Sequence, residues 1–67
     1  MITISTISNQ RTVEGEEAVV VELRGLSTDE KPTEIANKLV DNGSVFIEID
    51  TGNIYMYDLE NEQWKEV

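Results

Sequence analysis

Between Val45 and Tyr57 the chain alternates in a way that leaves little choice of local structure. Val45, Ile47 and Ile49 are interleaved with Phe46, Glu48 and Asp50, then Asp50-Thr51-Gly52-Asn53 supplies turn residues and Ile54-Tyr55-Met56-Tyr57 resumes the pattern. A period of two on both sides of a glycine-containing turn predicts an antiparallel hairpin, because a strand sends successive side chains to opposite faces. A two-residue turn would force β-branched Thr51 to positive φ, so a four-residue loop with Gly52 left-handed is expected. That loop sets Ile49 opposite Ile54, Ile47 opposite Met56 and Phe46 opposite Tyr57. A second turn over Leu59-Glu60-Asn61-Glu62 sets Asp58 opposite Gln63 and Tyr57 opposite Trp64, extending the hairpin to a meander that ends at Val67.

The pairing sorts side chains by face. One face carries Val45, Ile47, Ile49, Ile54 and Met56; the other carries Phe46, Tyr55, Tyr57 and Trp64, all the aromatic residues of the chain. Both faces are apolar, and a small domain covers only one thoroughly, so the other is either a second small core or a docking surface.

Upstream, Met1 to Ile7 alternates apolar and hydroxyl residues and predicts a first strand, interrupted at Asn9-Gln10-Arg11 and followed by a charged turn at Glu14-Gly15-Glu16-Glu17. Ala18-Val19-Val20-Val21-Glu22-Leu23 is the most β-prone segment and predicts a central strand with Val19, Val21 and Leu23 on one face. Gly25 to Pro32 is expected to be a loop. After it a short helix over Thr33 to Val40 is expected, with Thr33 as N-cap and Ile35, Ala36, Leu39 and Val40 on one stripe, or else an irregular crossing. The fold expectation is therefore mainly β: one domain spanning residues 1–67, a small antiparallel sheet or meander of four to five strands, and at most one short helix near 33–40.

Sixty-seven residues without a cysteine form a thin core with no disulfide or thiolate metal site to staple it, so oligomerisation or docking on a partner is the expected supplement. Fourteen carboxylates against five basic residues give a net charge of −9 with no histidine. The bases Arg11, Arg24, Lys31, Lys38 and Lys65 stand singly, so nucleic acid and anionic membrane surfaces are not expected partners. The longest apolar run, Ala18 to Val21, falls far short of the ~20 residues of a membrane span. Residues 1–15 lack the basic start and apolar core of a signal peptide, and a soluble protein is expected.

Catalytic chemistry has little to work with. Histidine, cysteine and a glycine-rich phosphate loop are all missing, so serine nucleophiles lack their usual base and no enzyme, cofactor or metal site is expected. Glu48, between Phe46 and Tyr57 on the aromatic face, is the most notable carboxylate, yet a strand glutamate usually meets only solvent or a neighbouring hydroxyl. Asp50, Asn53, Asp58, Glu60 and Glu62 are oxygen donors near two turns, but their spacing does not match a calcium loop, and turn chemistry accounts for the aspartates. Glu14, Glu16 and Glu17 fit a solvated loop.

The segment Asn42-Gly43-Ser44-Val45-Phe46-Ile47-Glu48-Ile49-Asp50-Thr51-Gly52, followed by Tyr55-Met56-Tyr57-Asp58, Glu60-Asn61 and Trp64, resembles small proteins encoded in the virion-structure gene clusters of tailed phages and prophages of Gram-positive bacteria. Leu26-Ser27-Thr28-Asp29 and Lys31-Pro32-Thr33 are similar as well. Asn53 departs from the lysine that usually follows the Asp-Thr-Gly turn in that group, which weakens any phosphate-binding reading of the turn. The resemblance implies a virion-associated structural accessory protein of head or tail, assembled in the bacterial host cytoplasm, contacting other virion proteins and carrying no catalytic or ligand residues. The alternative is a small acidic inhibitor that mimics nucleic acid and blocks a host DNA-binding protein. Against that, Glu22, Glu48 and Asp58 interrupt apolar strands instead of forming a phosphate-like row. The expected contact surface is the aromatic face, Phe46, Tyr55, Tyr57 and Trp64, since Tyr and Trp dominate interface energies. The bland reading buries the same rings under the Gly25 to Pro32 loop.

Overall fold

The computed structural model describes residues Met1–Val67. They form seven strands and no helix: β1 Thr3–Val13, β2 Glu16–Gly25, β3 Glu34–Ile35, β4 Lys38–Val40, β5 Val45–Glu48, β6 Ile54–Asp58 and β7 Gln63–Glu66. The strands make one curled sheet in the order β3-β4-β2-β5-β6-β7, with β1 on the opposite edge of β2. The mainly β expectation therefore holds, whereas four to five purely antiparallel strands does not: β2 pairs parallel with both β4 and β5.

The long β2 is central, as its run of β-branched residues predicts. Val19, Val21 and Leu23 point to one face and are buried with Val40, Phe46 and Tyr57. Along its first edge β2 pairs with β1 through a turn whose Glu14 and Gly15 have φ of 50° and 84°. The Asn9 interruption is not a strand end but a bulge, with Asn9 at φ 50° and the register shifting between Ser8 and Arg11.

The second edge of β2 is divided. Ala18 and Val19 pair with Leu39 and Val40, while Glu22 to Gly25 pair with Val45 to Glu48. Between these ladders the chain steps away over Asp41–Ser44, and side chain substitutes for backbone: the buried Ser44 Oγ accepts the Val21 N–H at 3.0 Å. An unpaired amide at the centre of the core would cost about 1–3 kcal/mol, which this hydroxyl avoids.

The helix expected over Thr33 to Val40 is absent. Ala36 and Asn37, at φ 50° and 64°, instead make a tight turn between β3 and β4. Eight residues do not offset helix nucleation in water, whereas the extended form seats Val40, which is fully buried, beside Val19 of β2.

The first hairpin forms with a different register from the one its alternation suggests. Ile47 faces Ile54, Phe46 faces Tyr55 and Val45 faces Met56. The loop closes one residue earlier, with Glu48 N–H donating to Asn53 O at 2.9 Å and Gly52 N–H to Glu48 O at 2.8 Å. Ile49 N–H is taken by Gly25 O of β2 at 2.8 Å, so a long-range partner displaces the Ile49–Ile54 pairing. The pairing shift is two residues, so each side chain keeps its expected face. In the second hairpin Tyr57 faces Trp64 and Asp58 faces Gln63, as expected.

Candidate functional site

The four aromatic residues do share one face, and that face is the core. Phe46 and Tyr57 are 0% and 4% exposed, and half-buried Tyr55 and Trp64 pack against them. The Trp64 ring meets Phe46 edge-on at 6.0 Å between centroids and Tyr57 at 5.0 Å, arrangements favoured by the ring quadrupoles. Phe46 and Tyr57 thus have no surface to offer a partner, which corrects their expected place on a contact face.

Three ties fasten the crossing segment between β2 and β3 to this face. Trp64 Nε1–H donates to Pro32 O at 2.9 Å. Asp50, in the hairpin loop, accepts the Ser27 N–H at 2.9 Å and its hydroxyl at 2.6 Å. Lys31 Nζ lies 2.7 Å from Glu48 Oε2, 4.3 Å from the Tyr55 ring centre and 4.8 Å from that of Phe46. Within the segment, Asp29 accepts the Leu26 N–H at 2.8 Å and closes the turn.

Glu48 does not meet solvent, as a strand glutamate usually does; it is buried. Besides Lys31 it accepts the Thr51 hydroxyl at 2.7 Å, and these two hydrogen bonds, Lys31 first, hold its carboxyl below the usual range. Asp50 is lowered by the Ser27 hydroxyl and amide. Toward the other end of β2, Arg11 forks onto buried Asp41 through Nε–Oδ2 and Nη2–Oδ1 contacts of 2.5 and 2.6 Å, tying β1 to the step between β4 and β5. This pair lowers Asp41 and raises Arg11.

Sequence reasoning missed Lys31, Arg11 and Asp41 because each partner lies at least 17 residues away.

Chemically, these carboxylates are poor proton acceptors near neutral pH, since hydrogen bonding to the charged form lowers their basicity. No three acidic side chains converge in a way that would hold a metal ion. An open cleft of about 470 Å³ lies beside Arg11 and is lined by Val13, Leu39 and Leu59 together with Glu14, Glu60 and Glu62.

The outer face of the same sheet is different in kind. Opposed residues share a face, so Glu22, Val45, Met56 and Lys65 form one row across β2, β5, β6 and β7. Arg24, Ile47 and Ile54 form the next, continued by Val67, whose N–H donates to Ile54 O at 2.8 Å. Val45, Ile47, Ile54 and Met56 make an aliphatic square, in which Val45 and Ile47 are half-buried and Ile54 and Met56 are 43% and 45% exposed. Ile49 continues the apolar surface into the loop.

Comparison with protein families, with curated proteins and with solved structures gives no match.

Proposed function

We propose that this protein acts by protein–protein contact, as a structural accessory part of a phage or prophage particle, through the outer face of β2, β5, β6 and β7. The observation that carries the contact reading is the aliphatic square of Val45, Ile47, Ile54 and Met56. It stands open on a sheet whose opposite face is already closed by the strapped crossing segment. Contiguous aliphatics of which two, Ile54 and Met56, are exposed on rigid strands suit an interaction surface, since burying them on a partner costs little ordering entropy. The particle assignment is supported by the resemblance of residues 42–64 to small proteins of phage virion-structure modules.

Incorporation into particles tests this reading. Virions purified from an induced lysogen are expected to contain the wild-type chain and to lose it when Ile54→Lys is introduced. Retention of the variant at wild-type level would remove the outer face from the contact.

A further inference from the structure

We infer that the occupant of the outer face is a second copy of this chain, related by a two-fold axis running along the strands between β5 and β6. The inference rests on the reading of that face as a contact surface and adds its partner.

The argument starts from charge. Each of the five basic side chains lies within 3.8 Å of a carboxylate. Nine of the fourteen carboxylates are thus left without a basic side chain, matching the net −9. None of those nine belongs to the two outer-face rows. Their charged members, Glu22, Arg24 and Lys65, are compensated within the face, Glu22 by Arg24 at 3.2 Å and Lys65 by Asp58 at 3.4 Å. Two copies at −9 repel over most of their surfaces, and this is an apolar patch where their approach brings no excess of like charge together.

The order of residues then selects the partner. Across the sheet the row reads Glu22, Val45, Met56, Lys65. Reversed, it reads base, apolar, apolar, acid. A two-fold axis along the strands performs that reversal, laying Glu22 over Lys65 of the second copy and Lys65 over its Glu22. Val45 then meets Met56, and Ile47 meets Ile54. The face is thereby its own complement, the requirement for an isologous interface. Sheets pack in this aligned manner about 10 Å apart, the distance that aliphatic side chains from two faces fill.

Four strands about five residues long give roughly 300 Å² in plan, below the ~800 Å² per partner of a standard interface, so the dimer is weak. Sedimentation velocity is the test. In ~0.3 M salt, which shortens the Debye length to below ~8 Å, wild type is expected to pass from monomer toward dimer between ~10 μM and ~1 mM, and less so in low salt. Ile54→Lys, and independently Met56→Lys, are expected to keep the far-ultraviolet circular dichroism of the fold and to sediment as monomer throughout. Glu22→Lys is the sharper variant, because it reduces the net charge and generic repulsion with it, yet is expected to weaken the dimer at least several-fold. Combining it with Lys65→Glu restores the net charge and the acid-over-base register, and is expected to restore association.

A wild-type chain that stays monomeric at ~1 mM in salt overturns the inference. So does a dimer indifferent to Ile54→Lys, or one strengthened by Glu22→Lys alone. If wild type is monomeric while Ile54→Lys abolishes incorporation into particles, only the second-copy inference fails. If the variant is incorporated normally, the contact-surface reading fails as well.

Discussion

The ammonium of Lys31, in the segment that crosses the aromatic face, is held 2.7 Å from the buried carboxylate of Glu48 on β5. Lys31→Met keeps a flexible apolar stem against Phe46 and Tyr55 and removes only the charge. It is expected to lower the melting temperature, to speed amide exchange across residues 26–33, and to raise the Glu48 carboxyl toward its ordinary range. Carboxyl-detected NMR titration measures the last directly. An unchanged Glu48 titration would show that Thr51 alone sets it.

Gly25 is expected to tolerate no side chain. A Cβ there would lie 2.8 Å from Phe46 Cζ, 3.0 Å from Asp29 Oδ2 and 3.2 Å from Ile2 Cγ1. The Phe46 ring is fully buried and has nowhere to move. Overpacking costs about 1–3 kcal/mol, a large share of the roughly 3–10 kcal/mol expected for a chain of this length. Chemical denaturation of Gly25→Ala measures it, and Phe46→Leu in the same chain is expected to return part of the loss relative to Phe46→Leu alone.

Ala36 carries a φ of 50° next to Asn37 at 64°. Both positions of such a turn favour Asn or Gly, and a left-handed alanine costs about 1–2 kcal/mol. Ala36→Asn is expected to raise stability by about 0.5–1 kcal/mol, observable as a higher denaturation midpoint. If residues 33–40 were helical in solution, the same change would lower it, because asparagine is the poorer helix former.

Salt and acid act on different groups. Nine carboxylates without a basic side chain repel one another at neutral pH, so added salt is expected to raise the melting temperature, and so is acidification from pH 7 toward the pI of about 4.1. Glu48, Asp41, Asp50 and Asp58 oppose this lower down. Their folded carboxyls are lowered by hydrogen bonds from Lys31, Arg11, Ser27 and Asn61 respectively. A group lowered in this way contributes fully above its unfolded value, ordinarily ~4, and loses that contribution as pH falls through the folded one. Melting temperature should therefore rise on mild acidification and then fall below about pH 4. A steady rise to pH 3 would mean that these ties contribute nothing.

What was legible in the chain was local. The Tyr57–Trp64 register followed from a four-residue turn between two short strands, closed locally by Glu62 N–H donating to Leu59 O and by Asn61 donating to the Asp58 carboxylate. Val19, Val21 and Leu23 declared the core because three β-branched residues in succession suit a central strand. The first hairpin was misregistered because Ile49 looked like a ladder residue, whereas β2 takes its amide and leaves its side chain 64% exposed. Which sheet face was core stayed open to local reasoning, between an aromatic contact face and the same rings buried under the Gly25 to Pro32 loop, and the second is what forms. Both faces are apolar, and the choice is made by Lys31, Ser27 and Pro32, which reach the aromatic side only once the chain has crossed it. The two parallel ladders carry no local pattern, since parallel pairing is settled by the path of the connection.

The divided edge of β2 also bears on the order of assembly. Residues 1–25 and 45–67 each hold strands paired with sequence neighbours, and such hairpins close in about 1–10 μs. The joint between them, Glu22 with Val45 through Gly25 with Glu48, pairs residues 23 positions apart and yields no contact until that loop has closed. Joining the halves is then the slow event, with Leu23 and Phe46 already in place at the barrier and the Ala18–Leu39 ladder arriving after it. Truncating Phe46 should slow folding, while truncating Leu39 should chiefly hasten unfolding.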